Sequence, residues 1–263
     1  RTISTAAFSW NSKNSMRKIR LLLTYDGTDF SGWQRQIEGV STVQGTLEAV
    51  LSQIYSEPIG VIGSGRTDAG THAVGQVVHF EAPKILAKEE RLVRALNSLL
   101  PDSIAVKGAW LAPDEFHSLA SARRKTYIYR IWNHPIRAPL WHNRALWVPT
   151  PLDLNLLNAL SQSILGSRDF KSFQTTGTPV KSTVRTVDLC RWIAKTPHLL
   201  EFHIRGNGFL KQMVRNLVGT QLHLERNQTP AGDHLKQLQD IFNALDRRAA
   251  KTTVAAHGLY LYK

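Results

Sequence analysis

The chain of 263 residues carries 33 Lys and Arg against 20 Asp and Glu, for a formal charge of +13 and a pI near 10.1. That balance points to a polyanionic partner, with nucleic acid ahead of an acidic membrane surface, since no basic amphipathic helix stands out. A hydrophobic content of 42% excludes fibrous and disordered classes; no run approaches the roughly 18 apolar residues of a membrane span; the single cysteine excludes an intrachain disulfide and fits a reducing cytosol.

Residues 1–15 are rich in Ser and Thr and contain no acid; they fit the remnant of a transit sequence, vector-derived residues or an N-terminal extension upstream of Met16, and they stand outside the fold argument. From Arg17 the spacing predicts a strand with Ile19, Leu21, Leu23 and Tyr25 on one face, running into the Asp26-Gly27-Thr28 turn. A helix is predicted from about Thr42, carrying Val43, Leu47, Val50, Leu51 and Ile54, with Pro58 as its stop. A glycine-rich loop, Gly63 to Gly75, leads to a strand over Gln76 to Phe80. A second helix spans about Lys88 to Leu100, and a short strand follows near Ile104 to Trp110.

The second half begins with a strand over Thr126 to Trp132, which places Tyr127, Tyr129 and Ile131 on one face. Asp153 caps a helix carrying Leu154, Leu157, Leu160, Ile164 and Leu165, closed by Gly166. Strands are predicted near Thr183 to Ile193, with Cys190 as a small apolar filler, and near Leu199 to Arg205. A helix follows from Asn207 and a last one from about Asp233 to Asp246. The mixture is α+β, in two halves, 16–112 and 113–263, joined near Pro113.

Charge is uneven along the chain. His117 to Leu152 contains no acid, yet holds Arg123, Arg124, Lys125, Arg130, Arg137 and Arg144 interleaved with Tyr127, Tyr129, Trp132, Trp141 and Trp147. Two further windows, Phe170 to Val187 and Phe202 to Leu224, are also free of acids. Any one of these aromatics reads first as core. The cluster as a whole fits RNA, with cations on phosphates and rings on exposed bases.

The loop G-S-G-R-T-D-A-G-T-H-A-V-G is neither a Walker loop nor a dinucleotide fingerprint. It offers one carboxylate, Asp68, beside Arg66, and on spacing alone that aspartate is a turn-former. The ten histidines show no metal-ligand spacing, so no metal site is expected and zinc-dependent base chemistry is disfavoured.

Three stretches together resemble the bacterial tRNA pseudouridine synthase A family: Tyr25 to Gln36, Gly65 to Ala73 followed by Gln76 to Phe80, and Asn207-Gly208-Phe209 followed by Met213 to Gly219. Asn97 to Pro101, Phe116-His117 and Gly258 to Leu261 also fit, so the resemblance runs from Arg17 to Lys263. It implies two α/β halves with mostly antiparallel sheets, flanked by helices around a basic cleft. It also implies a homodimer, with tRNA across both subunits, modifying uridines at positions 38, 39 and 40 of the anticodon stem-loop. Catalysis would need no cofactor.

By the same resemblance Asp68 is the essential carboxylate, attacking base or sugar, with Arg215 as its cationic partner and Tyr127, on a strand face open to a cleft, stacking on the target uracil; without the resemblance Arg215, on the less apolar helix face with Lys211, reads as a surface arginine. Arg66 would take the place of the flipped base, and Leu259 would line the pocket. Asn207 and Phe209 would shape the site. Thr67, Arg123, Arg124 and Arg205 complete the candidate RNA-contacting set. Two departures from the family pattern stand out: Thr71 replaces a commoner valine, and Ala255-Ala256-His257 stands where prolines are usual. Rival readings are a pseudouridine synthase acting at other RNA positions, a non-catalytic RNA-binding module, and a basic DNA-binding protein.

Overall fold

The computed structural model describes residues 17–83, 88–177, 179–227 and 231–262. The N-terminal extension lies outside these. In chain order the elements are β1 (Arg17–Tyr25), α1 (Val43–Tyr55), β2 (Ile62–Gly63), β3 (His72–Ala82), α2 (Glu89–Leu99), β4 (Ile104–Leu111), β5 (Lys125–Asn133) and β6 (Leu146–Val148). They continue with α3 (Leu154–Gln162), β7 (Gly166–Asp169), β8 (Val184–Ala194), β9 (Leu199–Gly206), α4 (Met213–Arg226), α5 (Ala231–Ala244) and β10 (Leu259–Leu261). The α+β expectation holds.

A single ten-stranded sheet runs through both halves in the order β4-β1-β3-β10-β5-β9-β8-β7, with β2 on β3 and β6 on β5. All pairings are antiparallel except β10 with β3 and β5 with β6. The terminal strand β10 is the seam. Its backbone bonds Tyr260 and Leu261 to His72 and Ala73 on one side, and Leu259, Tyr260 and Leu261 to Tyr129, Ile128 and Tyr127 on the other.

The predicted alternation in β1 holds, with Ile19, Leu21, Leu23 and Tyr25 all buried. In β5, Tyr127, Tyr129 and Ile131 likewise enter the core. Helix α2 packs on β4, and α3 packs on β8 and against α4 and α5. Burial of Cys190 pushes its thiol pKa up to about 12, in line with a packing role.

Several boundaries differ from the sequence expectation. Helix α1 stops before Pro58, because Ser56 turns left-handed (φ 57°) and its N–H returns to Ser52 O. Strand β3 starts at His72, four residues early, because it gains partners in Tyr25 and Tyr260. Helix α3 ends at Gln162 rather than running to Gly166, which at φ 97° instead opens β7. Helix α4 begins at Met213, not Asn207. Asn207 is tied to Thr186 by a backbone bond of 3.1 Å and a side-chain bond of 3.0 Å, and Gln212 is left-handed. Lys211 therefore lies before the helix and shares no helical face with Arg215.

Candidate active site

The loop between β2 and β3 is held on a frame. Trp33 N donates to Thr67 O at 3.0 Å, Gly70 N to Phe30 O at 3.3 Å and Thr71 N to Asp68 O at 3.1 Å. The chain near Trp33 can come this close because position 32 is glycine at φ 98°, where a Cβ would sit 2.7 Å from Thr67 O. Gln76, fully buried in β3, donates to Gly65 O at 2.6 Å and accepts from Ser64 Oγ at 2.8 Å. Thr67 is buried beneath the loop, its hydroxyl 2.8 Å from Tyr25 Oη. That gives it a supporting position, whereas Arg66 is exposed.

On this frame Asp68 Oδ2 accepts from Arg215 Nη1 at 2.9 Å, across 147 positions of sequence. Sequence alone favoured a surface position for Arg215; its side chain is 13% exposed, against 31% for Asp68. Arg215 Nε donates to Val254 O at 2.8 Å, so the guanidinium is aimed from two sides. The segment bearing Val254 is clamped to α4 by buried Asn216, whose Oδ1 accepts from Thr253 Oγ1 at 2.6 Å and Arg247 Nη2 at 3.1 Å. Asp68 Oδ1 takes no hydrogen bond among the described residues, which leaves one carboxylate oxygen for a ligand.

Tyr127 was expected to face an open cleft. It is buried instead, because Phe209 in the loop before α4 packs edge-on against it, ring centroids 5.1 Å apart. Burial, reinforced by the nearby Asp68 carboxylate, raises the Tyr127 hydroxyl pKa above its ordinary value, so the phenol stays neutral. Leu259 is buried opposite Tyr129 in the β10–β5 ladder. The Tyr129 hydroxyl donates to Ala255 O at 2.8 Å, tying the same terminal segment to β5.

Of the candidate basic residues, Arg123 and Arg124 are exposed beside β5. Arg124 Nε and Arg205 Nε both reach Asp188, at 2.8 and 2.5 Å, so these two are already paired within the fold. Among the described residues no group of three or more His, Cys, Asp or Glu is arranged to hold a metal. Sequence reasoning passed over Trp33, Gln76, Asn216, Arg247 and the Val254 carbonyl. Trp33, Gln76 and Asn216 lie inside the resembling motifs, and Gln76, a polar residue inside an apolar strand, also carried a signal of its own. Thr71, the departure from valine, is 1% exposed, and its Oγ1 has no partner among the described residues.

A family model described as tRNA pseudouridine synthase matches residues 22–118 and 160–263. A protein of Bdellovibrio bacteriovorus named tRNA pseudouridine synthase A is 45% identical over 249 residues, covering 94% of either chain. Its namesakes in Maridesulfovibrio salexigens and Ruminiclostridium cellulolyticum are 42% and 38% identical. These alignments cover 93% and 94% of this chain, and 88% and 98% of the relatives.

Proposed function

The chain belongs to the tRNA pseudouridine synthase family, and on that premise we propose that it isomerises uridines 38, 39 and 40 of the tRNA anticodon stem-loop, with Asp68 as the essential carboxylate. Isomerisation of tRNA uridines is the family's activity. One observation carries the site assignment: the loop aspartate meets Arg215 at 2.9 Å while keeping its other oxygen unengaged. A nucleophilic carboxylate must be held in one orientation, and the pairing with Arg215 supplies that.

In the reaction the C1′–N1 bond of the nucleotide breaks, the uracil turns, and a C1′–C5 bond forms. The proton on C5 leaves and N1 gains one, with no net oxidation. Asp68 attacks covalently and its bond to the nucleotide breaks again as the product forms, Arg215 holds it, and Tyr127 stacks on the uracil once Phe209 yields. Extrusion of the nucleotide is required, because a stacked base cannot reach Asp68. Arg66, exposed at the loop, fills the vacated position, and Leu259 walls the pocket. Three neighbouring targets in different sequences demand recognition through backbone charge and shape, which the +13 charge favours.

We also propose a cytoplasmic homodimer. The apolar side chains of Ile136 and Leu140, 70% and 88% exposed, favour cover by a second copy. Among the described residues no helix is long and apolar enough to cross a membrane.

The test is tritium release from transcribed tRNA labelled at uridine C5, followed by mapping of the modified positions. The wild type should release label from positions 38–40, and Asp68→Asn should release none. Release by Asp68→Asn at the wild-type rate would remove Asp68 from the chemistry. Product only at other positions would favour a synthase of different site choice, and RNA binding without release would favour a binding module.

A further inference from the structure

Lys125 opens β5 two residues before Tyr127, with its stem over the backbone of Gly65: Nζ lies 3.8 Å from where a Cβ at position 65 would sit. It is half-buried, and among the described residues its ammonium has no carboxylate partner and no hydrogen bond. Arg185, on β8, lies over Gly208 in the same way, with Nε 3.4 Å from a Cβ built there. Its Nη1 donates to Ser182 O and Val184 O, at 2.8 and 2.7 Å, and no carboxylate reaches it among the described residues.

Arg66 and Arg123 also lack a carboxylate partner among the described residues, but both are exposed, whereas Lys125 and Arg185 are half-buried. Arg215 has Asp68, Arg124 and Arg205 share Asp188, and Arg130 has Glu201. Burial pushes the Lys125 pKa below its ordinary value, and the charge of Arg185 pushes it the same way. Two partly desolvated like charges without a counter-charge are unfavourable in the free protein. Their position fits an anion supplied from outside: Gly65 is three residues from Asp68, and Gly208 adjoins Phe209, which covers Tyr127.

We propose that Lys125 and Arg185 form an anion site for one phosphodiester of the RNA strand beside the target nucleotide, with Gly65 and Gly208 leaving room for it. Turning a nucleotide out of its stack rotates the backbone on either side, and a clamped flanking phosphate holds that rotated form. The proposal rests on the tRNA reading above and deepens it by naming a substrate contact.

Binding of full-length tRNA is measured over a salt series for the wild type, Lys125→Met, Lys125→Arg and Arg185→Met. The double variant Lys125→Met/Arg185→Met, measured alongside, frees the one phosphate and should lower the slope of log affinity against log salt by about 0.7–0.9, each single variant should fall between it and the wild type, and Lys125→Arg should retain the slope. The same proteins are then titrated with tRNAs carrying one neutral 2′-deoxy methylphosphonate near the target, against 2′-deoxy phosphate controls. One position should weaken the wild type about tenfold, each single variant less, and leave Lys125→Met/Arg185→Met unaffected. Without RNA, Lys125→Met should melt higher than the wild type, because it removes an unpaired, desolvated charge. An unchanged salt slope, equal loss from every methylphosphonate in wild type and variant, or a lower melting temperature would each overturn the proposal. The catalytic reading is judged separately by tritium release from the wild type, to which these variants contribute nothing.

Discussion

Gly219 lies within α4, one turn beyond Arg215, where alanine is ordinarily the better helix former by about 0.8–1 kcal/mol. Here a Cβ would stand 1.8 Å from Thr252 O, a backbone atom that can retreat only with its whole segment. Gly219→Ala must therefore push 251–254 off the helix. Three hydrogen bonds are at stake: Arg215 Nε to Val254 O at 2.8 Å, Val254 N to Arg215 O at 3.5 Å, and Lys251 N to Thr220 Oγ1 at 3.1 Å. At about 0.5–1.5 kcal/mol each, their loss outweighs the propensity gain and leaves a net destabilisation of about 0.5–3.5 kcal/mol. In a chain of this size that is a fall in Tm of about 1–14 °C, read by a thermal melt. Because Val254 O aims Arg215, kcat for tritium release should fall as well, by up to about 100-fold for a displacement near 1 Å. A melting temperature equal to or above the wild type, with an unaltered rate, would refute the inferred coupling between this segment and the Asp68–Arg215 pair.

Thr71→Val should raise Tm by about 2–4 °C without loss of activity, since it removes a buried hydroxyl lacking a partner, worth about 1 kcal/mol. His79 is held below its ordinary pKa by burial and by the charges of His117 and Lys18, with Glu81 opposing. The unfolded chain therefore binds the extra proton first, so stability falls as pH drops from about 6.5 towards the depressed value. His79→Asn should flatten that fall in denaturant melts taken at several pH values, and an unchanged profile would contradict it. The Cys190 thiol, buried and shifted up to about 12, should resist iodoacetamide in the folded protein at pH 8 and react fully in denaturant, as read by intact mass.

Local patterning was enough to establish the strands and helices whose burial repeats at short range. The two-residue alternation of Ile19, Leu21, Leu23 and Tyr25 and the helical spacing of Val43, Leu47 and Leu51 each specify one apolar face. Boundaries set by partners distant in sequence were not legible. β3 begins at His72 because Tyr260, 188 positions later in the chain, lies beside it. The family motifs marked Asp68, Arg215 and Tyr127 as a set, although spacing alone made Asp68 a turn residue and Arg215 a surface one.

What the sequence by itself determined is the class of partner and the inventory of chemistry: a strongly basic chain, with a carboxylate on a glycine-rich loop and acid-free stretches rich in arginine and aromatics. Tertiary structure alone decided which cations are already neutralised and which are not. Arg124, Arg205 and Arg215 find carboxylates, while Lys125 and Arg185 find none among the described residues. The physical reason is range: helix and strand periodicity reports on neighbours within a few residues, whereas these ion pairs depend on distances of a few ångströms between residues 17 to 147 positions apart.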